Sequence, residues 1–288
     1  MHIINCLSDI SEHYDVIFCD IWGCLHDGIT AFSEAVAAIQ TFKESGSHRV
    51  ILITNSPRYG FDVQEQILHL GVPDSIYDGI VSSGDAFTAL FQKNKWGHEG
   101  YFIGMKMHEK MFDFSGMTRV PLSQAEFIFC SAPFEDSQES LNAYQSTISE
   151  GVRAGLPFFC ANPDVCVDIG DKRYFCAGAI AKEYEKSGGK VFYFGKPHRF
   201  IYDCAFEKLS FVTGEKNRDL CGKILAIGDG ADTDIRGAAQ MGFDSLFITR
   251  GIHHDILHSD QGELNNAALQ NFWDKKGISP KYVIEALR

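Results

Sequence analysis

The feature that most constrains the fold is a set of short, continuous apolar runs, each followed within two residues by a polar or charged side chain. A run of this kind, bounded by turn residues, is typical of a strand buried on both faces of a parallel sheet. In open sheets of this class, ligands bind beyond the carboxyl ends of the strands. We therefore expect runs 16–19, 50–53, 191–194 and 224–227 to place the polar residues that follow them around one crevice: Asp20, Thr54, Lys196 and Asp229.

The segments between the first runs have the pattern of helices. Ser33 is the predicted N-cap of a helix that ends near Gly46, and a second helical pattern covers about 62–70 and is closed by Gly71. Strand, helix and strand with short connections form the parallel crossover unit. The sequence therefore predicts an α/β fold built on a parallel sheet.

The middle of the chain predicts a second domain. It contains further strand candidates at 101–103, 127–130 and 156–160, with helical stretches between them. The first pattern resumes at Val191. We therefore predict a core formed by 1–83 and 190–288, with a smaller inserted domain at 84–189 whose size suits independent folding.

Composition and charge exclude several classes of function. A hydrophobic content of 45% in 288 residues is ample for a sizeable core. The net charge of −12 argues against nucleic acid, because affinity for its backbone depends on clustered Lys and Arg. The start of the chain lacks the pattern of a secretory signal, no apolar run approaches membrane-spanning length, and the nine cysteines include no Cys-x-x-Cys pair. We predict a soluble, cytoplasmic protein with free thiols that binds neither nucleic acid nor membrane.

Four ordered motifs carry a family resemblance. They are Asp20 after the first run, Thr54 in Thr-Asn-Ser, Lys196 in Gly-Lys-Pro, and Asp229 with Asp234 in Gly-Asp-x-x-x-Thr-Asp. This set resembles the haloacid dehalogenase (HAD) superfamily. An insert containing Ala-Asn-Pro-Asp at 161–164 is similar to subfamily IIA, the NagD-like and 4-nitrophenylphosphatase-like hydrolases. The resemblance spans nearly the whole chain and implies a Rossmann-like core with an inserted α/β cap of the C2 type.

The resemblance also implies a metal-assisted phosphoryl-transfer site. Asp20 would be the nucleophile that forms an aspartyl-phosphate, which water then hydrolyses. Mg²⁺ would be held by Asp20, Asp229 and the backbone carbonyl of Trp22, because this ion takes few carboxylates and keeps water and phosphate as its other ligands. Asp234 would sit behind these ligands and support the water shell of the metal or the neighbouring loops.

Other motif residues would bind the phosphoryl group. Thr54 would donate a hydrogen bond to a phosphoryl oxygen, helped by the backbone N–H of Asn55. Lys196 would neutralise charge on Asp20 and on the phosphate. We also expect Pro197 to lie in a first helical turn, since helix starts attract anions.

Trp22 departs from the family pattern. In most phosphatases of this superfamily, the residue two positions after the nucleophile is a second Asp that protonates the leaving group and activates water. Trp22 can do neither, and such proton transfer is typically worth about 10²–10⁴-fold in rate. Either the substrate needs little protonation, or Asp27 or His26 acts as substitute, or the protein binds a phosphorylated ligand without turnover. The alternative for Asp27 is a carboxylate that only stabilises a turn, and the alternative for His26 is a loop histidine without a titration role.

Several further residues have two interpretations each. Arg58 suits an anion, because a guanidinium binds carboxylate or phosphate with a pair of hydrogen bonds, or it is a surface arginine at a helix start. Asn162 and Asp164 would reach toward the substrate from the cap, or serve only the turn that Asn-Pro-Asp favours. We expect three histidines past the last strand of the core to be solvated rather than metal ligands: His253, His254 and His258.

The sequence therefore predicts a Mg²⁺-dependent phosphatase that acts on a small phosphorylated metabolite, with a homodimer as a possible assembly. One alternative is a catalytically impaired relative that binds or senses such a ligand, and another is a phosphotransferase. Taken singly, each motif is also compatible with an ordinary turn or helix cap.

Overall fold

The structure is a computed structural model that describes residues 1–93, 96–133, 140–169, 172–214 and 223–288. The chain forms two compact units and passes between them four times. Unit 1 comprises Met1–Thr54, Gln64–Val81 and Tyr202–Arg288, and unit 2 comprises Asn55–Val63 and Ser82–Ile201. The division into independently folding domains, at 1–83 with 190–288 and at 84–189, stays a prediction.

Unit 1 is built on a seven-stranded sheet with the order β1-β14-β13-β12-β2-β3-β4. Its strands are β1 (His2–Ile3), β2 (Val16–Cys19), β3 (Arg49–Thr54), β4 (Gly79–Ser82), β12 (Ile224–Gly228), β13 (Asp244–Ile248) and β14 (Tyr282–Ile284). From β1 to β3, the neighbouring strands run parallel. The predicted α/β class with a parallel sheet is therefore confirmed.

At the centre of this sheet, strands from the N-terminal and C-terminal parts of the chain pair with each other. Strand β12 pairs with β2, which pairs with β3, so that Ile227 lies opposite Cys19 and Cys19 lies opposite Leu52. All residues of β2 and β12 are buried, as expected of strands covered on both faces. Because the three strands are parallel and in register, the residues that follow them emerge side by side at one edge.

Helices follow most strands of unit 1. They are α1 (Ser33–Glu44), α2 (Gly60–Leu70), α7 (Arg199–Thr213), α8 (Arg236–Met241), α9 (His254–Leu257) and α10 (Asn266–Lys276), of which α2 and α7 begin within unit 2. The predicted N-cap at Ser33 is wrong: Phe32 is the N-cap, it makes no side-chain capping bond, and Ser33 is already helical. The close of α2 at Gly71 is confirmed, since its φ of +102° favours glycine.

Unit 2 contains a five-stranded sheet with the order β11-β8-β7-β5-β6. Its strands are β5 (Glu99–Ile103), β6 (Thr118–Arg119), β7 (Phe127–Cys130), β8 (Phe158–Cys160) and β11 (Val191–Tyr193), and every neighbouring pair is parallel. Strands β9 (Cys166–Ile169) and β10 (Lys172–Phe175) form a separate antiparallel hairpin. The helices are α3 (Ser83–Lys93), α4 (Lys110–Ser115), α5 (Gln145–Arg153) and α6 (Ala177–Lys186).

Strand β11 corrects one prediction. The run at 191–194 forms a strand only over Val191–Tyr193, and that strand pairs with β8 in the sheet of unit 2. It does not extend the sheet that contains β2. The apolar run predicts a buried strand, but a run of three or four residues carries no information about the partner with which it pairs.

Aromatic side chains fill much of the core of unit 2. The Phe87 ring lies 4.6 Å from that of Phe129 and 5.0 Å from that of Phe194, and Phe127 lies 5.1 Å from Phe159. All five are fully buried. Burial of this much aromatic surface fixes the sheet against α3, and the sheet in turn fixes the loops at its carboxyl edge.

Two sequence expectations concern the chain as a whole. The eight cysteines within the described ranges are free thiols, as predicted, and Cys221 lies outside those ranges. Among the helices that the structure describes, none combines the length and apolar character required to cross a bilayer.

Candidate active site

Three adjacent strands of unit 1 end in the polar residues of the predicted site. Asp20 follows β2, Asp229 follows β12, and Thr54 is the last residue of β3. The backbone N–H of Asp20 donates to the carbonyl of Ile227 at 2.9 Å, which fixes the end of β2 against β12. All three polar side chains are at most 9% exposed. As the sequence predicts, residues far apart in the chain emerge at the same edge of one sheet.

The side chains of Asp20 and Asp229 converge with the thiol of Cys24. One potential ligand atom from each of these residues lies within 4.8 Å of the other two. Two oxygens on opposite sides of one Mg²⁺ lie roughly 4 Å apart, so the carboxylates fit a shared ion. Burial and the carboxylates of Asp229 and Asp20 raise the pKa of the Cys24 thiol well above its usual range, so it stays protonated and is a poor ligand for Mg²⁺.

The Asp229 carboxylate is held by backbone on two sides. Its Oδ2 atom accepts a hydrogen bond from the N–H of Ile252 at 2.8 Å. A Cβ atom at Gly23 or at Gly251 would collide with this carboxylate, and Gly23 also has a φ of +74°. Only glycine therefore allows both segments to approach so closely. Sequence reasoning missed both glycines, because neither is distinguishable from an ordinary loop glycine without the fold.

Asp234 stabilises the loop rather than joining the convergent group. Its Oδ2 atom accepts from the N–H of Gly230 at 3.0 Å and from the Thr233 hydroxyl at 3.4 Å. It lies in a π-helical turn at Ala231–Ile235, a feature often found at functional sites. Among the described residues, the group that could hold a metal contains Asp20, Cys24 and Asp229. The metal role of Asp234 stays a prediction, and the contacts fit its predicted support of neighbouring loops.

Trp22 packs against the loop that follows it. Its ring lies 4.9 Å from that of His26 in an edge-on arrangement, and a Cβ at Gly28 would come within 2.6 Å of the indole. The N–H of Gly23 donates to the His26 carbonyl at 2.9 Å, which closes the loop. The residue that replaces the usual second Asp is thus a packing element of this loop.

The two candidate substitutes for that Asp are engaged in the same loop. The carboxylate of Asp27 accepts the backbone N–H groups of Ile29 and Thr30, each at 2.8 Å, and these bonds hold its pKa below the usual value. His26 is 1% exposed, and burial lowers its pKa to about 4. Its Nδ1 atom accepts from the N–H of Gly28 at 2.9 Å, so the ring is neutral at pH 7 with its proton on Nε2. Asp27 is thus ionised, which disfavours it as a general acid, and its catalytic role stays a prediction.

The remaining motif residues lie in unit 2. The Asn55 side chain accepts from the backbone N–H of Lys196 at 2.7 Å and donates to the carbonyl of the same residue at 3.2 Å. It also donates to the Asp164 carboxylate at 2.9 Å. Asn55 and Lys196 are both at most 3% exposed. The side chain of Asn55 therefore ties the second motif to the third and to the Asn-Pro-Asp turn, and the role of its backbone N–H at the phosphoryl group stays a prediction.

The Asn-Pro-Asp turn is stabilised from within. The Asn162 Oδ1 atom accepts from the N–H of Asp164 at 3.0 Å, as expected of an Asx turn. The Asp164 carbonyl accepts from the N–H of Gly178 at 3.1 Å, near the start of α6. The Asn162 side chain thus serves the turn and the Asp164 carboxylate accepts from Asn55, and the substrate roles of both stay predictions. The expectation for Pro197 is wrong, because it lies in a turn and α7 begins at Arg199.

The histidines near α9 take part in local contacts. The Nε2 atom of His253 accepts from the N–H of Ala231 at 3.3 Å, so it supports the loop after β12. The Nε2 atom of His258 lies 3.3 Å from the hydroxyl of Thr249. They are partly buried rather than fully solvated, as is His254. Within the described chain, none of the three belongs to a group that could hold a metal.

Fold and geometry together define an α/β protein with paired carboxylates at the carboxyl edge of a parallel sheet. Residues 17–118 match the family model described as haloacid dehalogenase-like hydrolase, and residues 193–287 match a second, HAD-hydrolase-like model. A haloacid dehalogenase-like hydrolase from Brucella suis is similar at 35% identity, with 99% of this chain and 100% of that chain covered and a TM-score of 0.86. The chain belongs to the haloacid dehalogenase-like hydrolases.

Two further proteins are similar to this chain. The ribonucleotide monophosphatase NagD of Escherichia coli is 26% identical over 242 residues, which cover 82% of this chain and 88% of the relative. A glycerol phosphate phosphatase from Mycobacterium tuberculosis, solved in complex with calcium, shares the fold at 19% identity, with a TM-score of 0.62 over 88% of this chain and 72% of that one. The similarity to NagD supports subfamily IIA.

Proposed function

We propose that this chain is a Mg²⁺-dependent phosphatase that hydrolyses a small phosphorylated metabolite through an aspartyl-phosphate. The observation that carries the proposal is the convergence of the Asp20 and Asp229 side chains at the ends of two adjacent parallel strands. Thr54 ends the next strand of the sheet. A nucleophilic carboxylate, a second carboxylate and a hydroxyl at one sheet edge are the groups that phosphoryl transfer requires.

The covalent steps follow from the chemistry of the Asp20 carboxylate. One carboxylate oxygen attacks phosphorus, an O–P bond forms, and the bond to the leaving alkoxide breaks. Water then attacks the aspartyl-phosphate, which releases inorganic phosphate and regenerates the carboxylate. The hydrogen bond from the Asp20 N–H to the Ile227 carbonyl holds the nucleophile in place, so little reorganisation is needed before attack.

We assign the Mg²⁺ ligands to Asp20, Asp229 and the backbone carbonyl of Trp22, with Asp234 supporting the loop behind them. The two carboxylates fit the preference of Mg²⁺ for oxygen ligands, and the protonated Cys24 thiol does not. When bound, the ion would neutralise charge that develops on the phosphoryl oxygens. The contacts of Asp229 with Ile252 and the two glycines hold its carboxylate ready for this role.

In the same proposal, Thr54, Asn55 and Lys196 serve the phosphoryl group. Thr54 donates its hydroxyl to a phosphoryl oxygen, and the Lys196 ammonium neutralises negative charge. The support for Lys196 is its near-complete burial and the pair of hydrogen bonds between its backbone and the Asn55 side chain. Asn162 and Asp164 remain proposed substrate contacts, with the turn geometry as their alternative.

The three residues considered as proton donors to the leaving group are poorly suited to that role. Trp22 carries no proton of suitable acidity, Asp27 is ionised by its backbone hydrogen bonds, and His26 is neutral at pH 7. We therefore infer that turnover is fastest with leaving groups that need little protonation. This observation also favours the second candidate, a slow relative that binds or senses a phosphorylated ligand; a phosphotransferase is a variant of the first.

The relatives give no single substrate, since one acts on ribonucleotide monophosphates by name and another on glycerol phosphate. Fold does not choose between these. A cytoplasmic location and a homodimer stay predictions.

Hydrolysis of p-nitrophenyl phosphate tests the proposal. Its leaving group needs no proton, so the purified chain should turn it over with Mg²⁺, lose activity in EDTA, and regain it when Mg²⁺ is restored. Undiminished turnover in EDTA would contradict the metal-dependent mechanism. No turnover with Mg²⁺, together with measurable binding of a phosphorylated compound, would favour the second candidate.

A further inference from the structure

The thiol of Cys24 has no role in the proposed Mg²⁺ chemistry, although it lies beside both carboxylates. One oxygen of Asp20, one oxygen of Asp229 and the Cys24 sulfur all lie within 4.8 Å of one another. A tight turn brings the thiol there, since the N–H of Leu25 donates to the Ile21 carbonyl at 2.9 Å. The three ligand atoms therefore come from two loops of unit 1 that follow adjacent strands.

Cys24 differs from other buried thiols of the chain. The thiols of Cys19, Cys130 and Cys160 each donate a hydrogen bond to a nearby backbone carbonyl. Cys24 is 1% exposed, and within the part of the chain that the structure describes its sulfur forms no hydrogen bond. A buried polar group without a partner is uncommon in native proteins, and an ion that binds to it is one recognised cause. The thiol and the two carboxylates beside it are the donors of a thiolate-containing metal site.

The sulfur makes this group of atoms suitable for a different class of metal. Mg²⁺ takes oxygen ligands in a near-octahedral shell, and a sulfur ligand does not suit it. Zn²⁺ is bound tetrahedrally by sulfur at about 2.3 Å and by carboxylate oxygen at about 2.0–2.2 Å, which sets these ligand atoms roughly 3.5 Å apart. Small side-chain rotations close the present spacing to that value, and water takes the fourth position.

We propose that Cys24 joins Asp20 and Asp229 in a site for Zn²⁺, which competes there with Mg²⁺. On binding, Zn²⁺ replaces the proton of the thiol, which passes to water, so that a thiolate coordinates the ion. The thiolate is a soft donor and therefore favours Zn²⁺ over Mg²⁺. With three of its four positions taken by protein, Zn²⁺ keeps one, whereas the larger shell of Mg²⁺ keeps several for phosphate and water. Zn²⁺ therefore inhibits phosphoryl transfer, a consequence that rests on the proposed phosphatase function, whereas the binding of Zn²⁺ does not.

Thiolate coordination is read directly with Co²⁺, which occupies Zn²⁺ sites and absorbs in the near ultraviolet when a thiolate binds to it. The full chain, titrated with Co²⁺, should develop this charge-transfer band up to one ion per chain, and Zn²⁺ should abolish it. Cys24→Ser, which replaces the sulfur by oxygen, should show no band. Cys6→Ser should retain it and is the matched control, because the Cys6 thiol donates to the carboxylate of Asp9 at 3.2 Å. No band in the wild type, or an equal band in folded Cys24→Ser, would overturn the proposal.

Calorimetry measures the selectivity that the thiolate adds. Cys24→Ser should weaken Zn²⁺ binding at least about tenfold more than it weakens Mg²⁺ binding, since only Zn²⁺ loses a favoured ligand. Asp229→Asn should weaken the binding of both ions, because both use that carboxylate. An equal change in the Zn²⁺ and Mg²⁺ affinities of Cys24→Ser would contradict the role of the sulfur.

A measurement on the wild type covers the case in which Cys24→Ser does not fold. X-ray absorption at the zinc edge of the one-to-one complex should show one sulfur at about 2.3 Å beside oxygen ligands. Excess Mg²⁺ should reduce this sulfur signal, because the two ions share Asp20 and Asp229. A shell without sulfur, or a sulfur signal that Mg²⁺ leaves unchanged, would overturn the proposal.

Inhibition is tested separately with p-nitrophenyl phosphate. Zn²⁺ should slow the Mg²⁺-dependent turnover, a higher Mg²⁺ concentration should restore it, and Cys24→Ser should need at least about tenfold more Zn²⁺ for the same fractional inhibition. If the wild type shows no Mg²⁺-dependent turnover, the proposed function fails, and the Co²⁺ band still decides whether the Zn²⁺ site exists. Inhibition that Mg²⁺ does not relieve, or that is unchanged in folded Cys24→Ser, would contradict competition at this site.

Discussion

The carboxyl edges of the two parallel sheets carry different residue types. In unit 1, the edge collects the carboxylates of Asp20 and Asp229, and the latter accepts a backbone N–H. In unit 2, Lys196 follows β11, and its backbone N–H and carbonyl are both bonded to the side chain of Asn55. Asp164, an acidic residue of the same unit, accepts a hydrogen bond from Asn55.

This difference shows that one architecture can present different groups at its strand ends. Parallel strands place loop residues side by side in both sheets, and the residue types at the strand ends then decide which ion is attracted. The paired carboxylates of unit 1 are the ligands proposed for Mg²⁺, and Lys196 of unit 2 is the residue proposed to neutralise the phosphoryl group. The following predictions test this contrast, from the largest expected effect to the smallest.

The largest effect is expected for the nucleophile. Asp20→Asn removes the attacking carboxylate and should lower kcat for p-nitrophenyl phosphate by roughly 10⁴-fold or more. Asp232→Asn is the matched control: this exposed residue of the other acidic motif forms ion pairs with Arg236 and Lys276. A similar loss in both variants would show that general acidity, rather than the position of one carboxylate, matters at this edge.

The backbone contacts of Asp229 give the second prediction. Gly251→Ala would push the new Cβ against the carboxylate, and a displacement of about 1 Å can cost roughly 10²-fold in kcat/KM. Gly46→Ala is the control, because the nearest neighbour of the new Cβ would be 3.4 Å away, on the half-buried side chain of His48. Normal activity in folded Gly251→Ala would mean that the edge does not depend on close backbone approach.

Trp22 gives the third prediction. Trp22→Asp supplies the missing acid and should raise hydrolysis of glycerol 3-phosphate by about tenfold or more, with a smaller change for p-nitrophenyl phosphate. Trp22→Asn has nearly the same shape as the Asp variant but cannot transfer the proton, so it should show no gain. Equal rates for the two variants and the wild type would indicate that another group already protonates the leaving group.

The fourth prediction concerns a buried histidine of unit 2. The pKa of His108 is about 4 in the folded chain and about 6.5 when unfolded, so its neutral form stabilises the fold above pH 6.5. That stability is lost as the pH falls from 6.5 through 4, by roughly 3 kcal/mol at most. Urea unfolding of His108→Gln should show a flatter pH dependence over this window, and that of the exposed His13→Gln should follow the wild type.

The sequence predicts the order of the motifs and the meeting of Asp20 with Asp229, because buried parallel strands force the residues at their ends together. It does not predict that β11 belongs to the second sheet, since three apolar residues carry no pairing information. It also does not predict the close approach of Gly23 and Gly251 to Asp229, or of the Cys24 thiol to the two carboxylates, because these contacts depend on how the loops fold. The pattern of apolar and polar residues does not predict side-chain contacts between distant segments.

Asn55 illustrates the same limit within unit 2. The motif places it beside Thr54, where a backbone N–H would face a phosphoryl group. In the structure, its side chain bonds to both the N–H and the carbonyl of Lys196, a residue 141 positions away. Sequence spacing alone does not predict such a bond between distant residues.

The central claim is that Asp20 and Asp229 share one divalent ion, and calorimetric titration with Mg²⁺ tests it most directly. The wild type should bind one Mg²⁺ per chain at this site, and Asp20→Asn and Asp229→Asn should each weaken binding at least about tenfold. Because both would act on one ion, the double variant should lose less than the product of the two single losses. Unchanged Mg²⁺ affinity in Asp229→Asn would contradict the account.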